Sequence, residues 1–381
     1  MRELIDWLPH VASLGADGLL LGPVFGSVSH GYDTVSHRVI DDRLGTVADL
    51  DALVGAASAG GISVVLDGAF AYASRSFWRL TDPAEVGDPW FLRDRRGELV
   101  PWRVDSLVTP DYESSGYQDY VADVLSYWLD RGVAGWRLDS AWSVPADFWR
   151  RVLARVRKTH PTAWFLGQFF DDDLPPVVNR TTVSSTTEYA LMHGIREWLS
   201  GGAADGMVTT LRLHRHNCYS RSTPHTFLGN HDFARLADTV PAPLLPAAFC
   251  LLLTLPGIPA IYYGDEFATT STWAEGGPDS ALRPAMSPGD LNQLGDGSQS
   301  LLTSVRALAS FRRANTWLTS ATLDDISWSA GALSYLVTGD GASIRVHINP
   351  TSGAVQLHPG DARTPAAGYN HNTPRPPTGQ A

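Results

Sequence analysis

The hydrophobic positions of the chain alternate between two periods, and this alternation predicts a parallel α/β fold. Leu4, Leu8 and Val11 fall on one face of a helix that Gly15 ends. The next stretch, GLLLGPVF, is a continuous apolar run, which is typical of a strand covered on both faces. The two patterns then recur along most of the chain. Strand–helix alternation over this length favours a TIM (β/α)8 barrel.

Seven barrel strands are predicted, and each is a short apolar run bounded by turn residues. In chain order they are GLLLGPVF, ISVVLDGAF, GVAGWRLDS, AWFLGQF, SSTTEYAL, HTFLGNHD and GIPAIYYGDEF. Helices are predicted at residues 46–61, 117–131, 146–158, 194–200, 244–255 and 301–313. Because a helix opens the chain, we expect an eight-stranded barrel to lack its first strand in this sequence.

The spacing of these elements predicts four parts. Residues 1–316 form the barrel, and residues 68–114, too long for an ordinary loop between strand and helix, form an inserted lobe over its mouth. Short alternating segments such as ALSYLVTG predict a small antiparallel β domain at residues 317–360. The tail at residues 361–381 is rich in Pro, Asn and Thr, which predicts disorder.

Composition narrows the class of partner. The net charge is -11, and Lys and Arg are scattered, which argues against nucleic acid and anionic membranes as partners. The longest apolar stretch is broken by Pro256, Gly257 and Pro259, so a buried helix and strand are favoured over a membrane span. The start of the chain has no basic segment before an apolar run, so we predict no signal peptide and a cytoplasmic protein. The sequence does not fix an oligomeric state.

Two further counts bear on chemistry. Only Cys218 and Cys250 are present, which allows at most one disulfide and fits a reducing compartment. The chain has 13 Trp, and sugar-binding clefts use flat aromatic faces. The excess of Trp is therefore a weak indication of a carbohydrate ligand.

Polar or ionisable residues end four of the predicted strands, where a barrel builds its active site. These residues are Asp67, Arg137, Asp139, Gln168, Asn230, His231 and Asp232. Carboxylates from different strands suggest cleavage of a glycosidic bond, which needs a nucleophile or base and a protonated acid. Arg137 lies two residues before Asp139 and points to the same face, so it favours the ionised form of that carboxyl.

These segments resemble the α-amylase family of retaining glycoside hydrolases, over nearly the whole chain to about residue 350 and in the family's order. GWRLD resembles its nucleophile motif, and FLGNHD resembles a segment that contacts the cleaved sugar. The other matching stretches are VVLDGAF, HGYDT and GIPAIYYGDE. The resemblance implies Asp139 as nucleophile with Arg137 beside it, and Asp232 as transition-state stabiliser. It implies substrate-binding roles for Tyr32, Asp67, Tyr72, Asn230 and His231.

The sequence departs from the family at three positions. Gln168 stands where the family carries the general-acid Glu, and an amide has no acidic proton to donate. Ala71 replaces an Asn that commonly helps to bind calcium, so we expect no calcium site there and no other cofactor. Tyr72 replaces a His that hydrogen-bonds the reacting sugar, and its hydroxyl offers a bond of different reach.

The resemblance implies an oligosaccharide α-glucan substrate and double displacement with retention at an α-glucosidic bond. Without the acid, two hypotheses stay open: an impaired hydrolase or transglycosylase, or a catalytically silent carbohydrate-binding or scaffold protein. Two origins of Gln168 also stay open, an engineered exchange for the near-isosteric amide and natural loss of the acid. We interpret the nearby acids Asp171, Asp172 and Asp173 as solvated loop residues. We place His214 and His216 at the surface, which disfavours a metal-dependent hydrolase.

Overall fold

The structure is a computed structural model, and it describes residues 1–82, 87, 89–218, 223–271 and 279–359. The chain divides into two compact units, Met1–Thr187 and Glu188–Ala381, which are described one at a time. The predicted tail at residues 361–381 lies outside the described residues. The predicted domain boundaries stay predictions, because the two units meet at a different position in the chain, between Thr187 and Glu188.

The first unit contains five α-helices and ten strands among its described residues. The helices are α1 (Arg2–Ser13), α2 (Val47–Ala59), α3 (Ser115–Asp130), α4 (Ala146–Val156) and α5 (Leu174–Thr181). The strands are β1 (Gly18–Leu20), β2 (Phe25–Ser27), β3 (Thr34–Ile40), β4 (Ser63–Gly68), β5 (Ala73–Ser74), β6 (Pro101–Trp102), β7 (Val104–Val108), β8 (Gly135–Leu138), β9 (Trp164–Gly167) and β10 (Ser185–Thr186).

A five-stranded parallel sheet organises this unit, in the order β1-β4-β8-β9-β10. Its register pairs Asp67 of β4 with Arg137 of β8. Gly135 permits close packing of β8 on β9, because a Cβ atom there would lie 2.2 Å from the carbonyl oxygen of Trp164. The sheet therefore brings the polar ends of neighbouring strands to one edge, as a parallel fold requires.

Local signals explain why the helices begin where they do. At the start of α2, Thr46 and Asp49 form a capping box in which each side chain accepts the backbone N–H of the other residue. The side chain of Ser114 accepts from the N–H of Tyr117 at the start of α3. The buried faces of the helices and the sheet share one core, which includes the fully buried ring of Trp128.

The segment after β4 leaves the parallel sheet and forms a small lobe. Its strands β5, β6 and β7 make an antiparallel sheet in the order β5-β7-β6. The predicted excursion at residues 68–114 contains these three strands. The precise limits of the lobe remain a prediction, because residues 83–86 and 88 are outside the described part.

The second unit contains five α-helices and six strands among its described residues. The helices are α6 (Tyr189–Leu199), α7 (Ala204–Cys218), α8 (Leu236–Thr239), α9 (Leu245–Thr254) and α10 (Asp296–Ala314). The strands are β11 (His225–Phe227), β12 (Ile258–Ala260), β13 (Thr322–Ser329), β14 (Ala332–Gly339), β15 (Ala342–Ile348) and β16 (Val355–Pro359). Strands β11 and β12 pair in parallel, and β13 to β16 form an antiparallel sheet in chain order.

Most predicted elements are present, and the exceptions have physical reasons. The described residues carry the seven predicted parallel strands. The segment SSTTEYAL is a strand only at Ser185–Thr186, and helix α6 already begins at Tyr189. Helices α5, α7 and α8 were not predicted: α5 and α8 are short, with two prolines in the first turn of α5, and α7 has few apolar positions.

The placement of His214 at the surface is wrong. His214 lies on α7 and is fully buried, because the carboxylate of Glu188 pairs with its ring and offsets the cost of burying a polar group. Cys218 and Cys250 are both free thiols. Within the described ranges, no helix combines the length and the apolar character that crossing a bilayer requires.

Candidate active site

One buried arginine joins two carboxylates at the ends of β4 and β8. The Nη1 group of Arg137 donates to Asp67 Oδ2 at 2.6 Å and to Asp139 Oδ1 at 3.0 Å. Asp67 is 1%, Arg137 6% and Asp139 5% exposed. Parallel pairing of the two strands places these groups together, and the shared cation offsets the repulsion between the two acids.

Tyr32 joins this network from the turn between β2 and β3. Its hydroxyl donates to Asp67 Oδ2 at 2.9 Å, and the Nη1 group of Arg137 lies 3.5 Å from the hydroxyl oxygen. Asp67 Oδ1 is buried and has no hydrogen-bond partner among the described residues. A buried acceptor without a partner is uncommon in folded proteins and is typical of functional sites.

Tyr72 holds the other oxygen of Asp139. Its hydroxyl donates to Asp139 Oδ2 at 2.6 Å, so both carboxylate oxygens of Asp139 accept a hydrogen bond. The ring of Tyr72 packs on Trp102 of the lobe, with 4.1 Å between ring centroids and 32° between planes. The lobe therefore fixes the direction from which Tyr72 reaches Asp139. Sequence reasoning missed Trp102, although the Trp in LVPW gave a signal within the predicted lobe.

Gln168 follows β9 and lies against the turn after β8. Its Oε1 atom accepts from the backbone N–H of Ser140 at 2.8 Å, and its backbone carbonyl accepts from the N–H of Trp142 at 3.1 Å. Ser140 has φ 48°, in the left-handed region, and this conformation directs its N–H toward Gln168. Sequence reasoning missed Ser140 and Trp142, whose contacts run through the backbone and leave no mark in residue type.

Burial and the neighbouring charges together shift the pKa values of Asp67, Arg137 and Tyr72. Burial raises the pKa of Asp67 to about 6, with Arg137 opposing and Asp139 adding to the rise. Burial disfavours the charge of Arg137, but Asp67, Tyr32 and Asp139 together hold its pKa well above the usual range. Burial and the charge of Asp139 raise the pKa of Tyr72, so Tyr72 stays a hydrogen-bond donor.

The acids after Gln168 are loop residues, as interpreted from the sequence. Asp171 is half-buried, and its Oδ1 accepts from the Nη2 group of Arg180 at 3.1 Å. Asp172 and Asp173 are exposed. The carboxylate of Asp171 thus contacts Arg180 and not Asp139.

The predicted residues of the FLGNHD segment lie in the second unit, after β11. The N–H of Asp232 donates to Asn230 Oδ1 at 2.9 Å, and the Nδ2 group of Asn230 donates to the hydroxyl of Tyr189 at 3.2 Å. His231 Nε2 lies 3.2 Å from Asp232 Oδ1. Asp232 is exposed, so this turn presents a carboxylate to solvent within its own unit.

Two buried arginines of the second unit fix that turn. Arg196 donates to the carbonyl of Leu228 at 3.1 Å and to the carbonyl of Ala234 at 2.7 Å, on either side of the turn. Arg235 lies 3.1 Å from Asp265 of the GDE segment. Burial raises the pKa of Asp265 to about 7, with Arg235 opposing. The two arginines hold the backbone around Asp232 in place.

Ala71, at the position where the resemblance to the family implies an Asn, has no side chain that could bind a metal ion. Ala71 is fully buried, and its carbonyl accepts from the hydroxyl of Tyr112 at 2.8 Å. Across the described residues, no group of three His, Cys, Asp or Glu side chains has the spacing to hold a metal ion. Ala71 thus supplies no ligand side chain at this position, and the absence of a calcium site stays a prediction.

Comparison with known proteins decides the family. The family model described as the catalytic domain of alpha amylase matches residues 1–323. The chain belongs to the α-amylase family. Membership confirms the resemblance based on GWRLD and FLGNHD, while the role of each site residue stays a prediction.

Curated relatives in the family are about a quarter identical to the chain over the stretch that matches. A maltogenic α-amylase of Bacillus acidopullulyticus is 27% identical over 84% of this chain and 56% of its own length. A cyclomaltodextrinase of Geobacillus thermopakistaniensis is 27% identical over 75% of this chain and 51% of its own length. The chain therefore spans about half the length of the curated relatives it matches.

Solved structures of the family confirm the TIM-barrel fold. The α-amylase of Geobacillus thermoleovorans, solved with acarbose, has a TM-score of 0.80 at 21% identity, covering 96% of this chain and 83% of its own. The agreement extends over nearly all of the chain, including the C-terminal antiparallel sheet. At this identity the likeness establishes the fold and not the substrate.

Proposed function

We propose that the chain is an α-glucan-active member of its family that keeps the nucleophilic half of a double displacement and lacks the proton donor. In this reaction Asp139 attacks the anomeric carbon and forms a β-glycosyl ester, and Asp232 stabilises the oxocarbenium-like transition state. The observation that carries the proposal is the intact, buried hydrogen-bond network of Tyr32, Asp67, Arg137 and Asp139.

The amide at position 168 limits the proposed reaction. Gln168 Oε1 accepts from the N–H of Ser140, an arrangement that a carboxylate oxygen would also satisfy. The amide cannot protonate a sugar leaving group, and general acid–base catalysis contributes about 10²–10⁴-fold. We therefore expect slow turnover of natural α-glucans and efficient reaction only with leaving groups that need little protonation.

The proposal is tested with α-glucosyl fluoride, because fluoride leaves with little acid assistance. We expect mass spectrometry to find one glycosyl adduct per chain, located on Asp139 by peptide mapping. The matched control is Asp139→Asn, which should give no adduct. Azide supplied as a nucleophile that needs no base should release the adduct as α-glucosyl azide, and failure of both steps would contradict the proposal.

Restoring the acid gives an independent test. Gln168→Glu should raise turnover of malto-oligosaccharides by about 10²–10⁴-fold. It should also add an alkaline limb to the pH–rate profile, where the new acid loses its proton. Gln168→Ala controls for changes of shape at the site and should not show the gain.

A second candidate function is a catalytically silent carbohydrate-binding protein on the same fold. Two departures favour it: Tyr72 caps Asp139 Oδ2, and Gln168 replaces the acid. Binding of malto-oligosaccharides measured by calorimetry, with no adduct from the fluoride and no gain in Gln168→Glu, would support this function over the first.

We further propose that the site needs no calcium. The buried Ala71 offers no side-chain ligand, and Tyr112 occupies its carbonyl. Chelation by EDTA should leave the melting temperature and the extent of fluoride labelling unchanged. Restoration of a lost activity by added calcium would contradict this.

A further inference from the structure

An exposed arginine of the lobe has an unusual conformation beside the site. Arg103 lies between β6 and β7 with φ 57°, in the left-handed region that non-glycine residues rarely adopt. Its guanidinium carbon lies 4.5 Å from the ring centroid of Trp142 and 5.3 Å from that of Trp102. Two aromatic faces therefore hold one cation at a defined place.

The charge of Arg103 is not neutralised by an acid within the described ranges. No carboxylate of the described residues lies within ion-pair distance of its side chain, whereas the exposed Arg151 on α4 pairs with Glu113 at 2.8 Å. A guanidinium that two indole rings orient, and that no carboxylate occupies, keeps its N–H donors for an anion.

The two tryptophans that hold Arg103 each contact a residue of the proposed site, Trp102 through its ring and Trp142 through its backbone. The ring of Trp102 packs on that of Tyr72, whose hydroxyl donates to Asp139 at 2.6 Å. The backbone N–H of Trp142 donates to the carbonyl of Gln168 at 3.1 Å. In the proposed reaction position 168 faces the leaving group, so Arg103 lies near the side from which the leaving group departs.

A phosphate leaving group does not need the general acid that this side of the site lacks. When Asp139 forms its ester bond to the anomeric carbon, the bond from that carbon to the phosphate oxygen breaks. The phosphate takes the bonding electron pair and departs as an anion, so no proton is transferred. The reverse attack by phosphate needs no base. A neutral Gln168 also avoids the repulsion that a glutamate carboxylate would exert on phosphate.

We propose that Arg103, held between Trp102 and Trp142, binds the phosphate of an α-glucosyl phosphate and makes this class of donor a substrate of the Asp139 site. The inference rests on the proposed function, since it uses the same nucleophile. It goes beyond that function by naming an anionic leaving group and the residue that selects it.

Isotope exchange tests the inference without any acid or base step. Labelled inorganic phosphate and α-glucose 1-phosphate are incubated with the full chain, and label is followed into the sugar phosphate. We expect exchange that saturates with phosphate and is absent in Asp139→Asn. Arsenate should replace phosphate and cause steady release of glucose, because glucosyl arsenate hydrolyses in water.

Variants of Arg103 separate its role from folding. Arg103→Gly removes the charge and suits the left-handed backbone, and Arg103→Gln keeps a side chain of similar length. Both should lower the ratio of phosphate exchange to fluoride labelling by at least tenfold. Arg95→Ala, which removes an exposed arginine of the same lobe, is the matched control and should not change the ratio.

The outcomes distinguish the inference from the proposed function. If fluoride labels Asp139 but no phosphate exchange occurs, the inference is overturned and the proposed function stands. Exchange that is equally fast in both Arg103 variants overturns the role of Arg103. If neither fluoride nor the sugar phosphate labels Asp139, the proposed function itself fails.

Discussion

Two buried clusters of charge, one in each unit, use their carboxylates differently. In the first unit Asp67 accepts hydrogen bonds on Oδ2 from Tyr32 and Arg137, while its Oδ1 has no partner in the described part of the chain. In the second unit Glu188 accepts from Asn217 on Oε1 at 2.8 Å and contacts His214 Nδ1 through Oε2 at 2.7 Å.

This difference distinguishes the candidate active site around Arg137 from the structural cluster around Glu188. Glu188, His214 and Asn217 are all buried, and both carboxylate oxygens are satisfied, which is the arrangement of a structural cluster. The cluster around Arg137 holds two carboxylates with one cation, and one acceptor, Asp67 Oδ1, has no partner among the described residues. Such imbalance costs stability, and proteins retain it where chemistry requires it.

The largest expected effect separates the two clusters by reactivity. Asp139→Asn should abolish labelling by α-glucosyl fluoride, a loss of at least about 10³-fold, because the amide is not a nucleophile. Glu188→Gln, the same change in the other cluster, should leave the labelling rate of the folded protein unchanged. Loss of labelling in Glu188→Gln, measured at a temperature where the variant is folded, would show that the Glu188 cluster is not purely structural.

The next effect is on stability. His214→Ala should lower the free energy of unfolding by about 3–5 kcal/mol, because it leaves a buried Glu188 without its cation. Burial opposes the charge of His214, but contacts with Cys218 and Glu188 raise its pKa well above the usual range. The stability from this pair is thus complete below the unfolded pKa and is lost as pH rises through the folded one. Urea titrations at several pH values measure both effects.

A smaller effect of pH is expected at Asp67. Since burial raises its pKa to about 6, the folded state favours the protonated acid. The stability associated with Asp67 is therefore complete below about pH 4 and is lost as pH rises through about 6. The free energy of unfolding of Asp67→Asn, taken relative to that of the parent, should therefore rise by on the order of 2 kcal/mol between pH 4 and pH 8. A constant difference over this range would show that Asp67 ionises normally.

The smallest effect concerns the lobe. Trp102→Ala removes a ring that packs on Tyr72, and such aromatic pairs contribute about 0.5–1.5 kcal/mol. We expect fluoride labelling of Asp139 to slow by about 3–10-fold, since Tyr72 is then less well held. Trp102→Phe keeps a ring and should recover most of the rate. Equal labelling rates in Trp102→Ala, Trp102→Phe and the parent would show that the lobe does not contribute to the site.

Sequence patterns predicted the elements that carry Arg137 and Asp139. Strand β8 is a buried run that ends in Arg137 and Asp139, and parallel pairing with β4 follows from the alternation of strands and helices. Sequence patterns did not predict α7 or the burial of His214. The helix is polar, and nothing in its sequence indicates that Glu188 is the partner of His214. Glu188 lies 26 residues away from that histidine, so only folding brings the two together.

By itself the sequence determined the family, the parallel order of strands and the absence of an acid at Gln168, because these follow from residue type and local periodicity. Tertiary structure alone decided that Trp102 reaches Tyr72, that Arg103 lies between two indoles and that Asp67 keeps a buried oxygen without a partner among the described residues. Contacts between residues distant in sequence depend on packing in three dimensions, and hydrophobic periodicity carries no record of them.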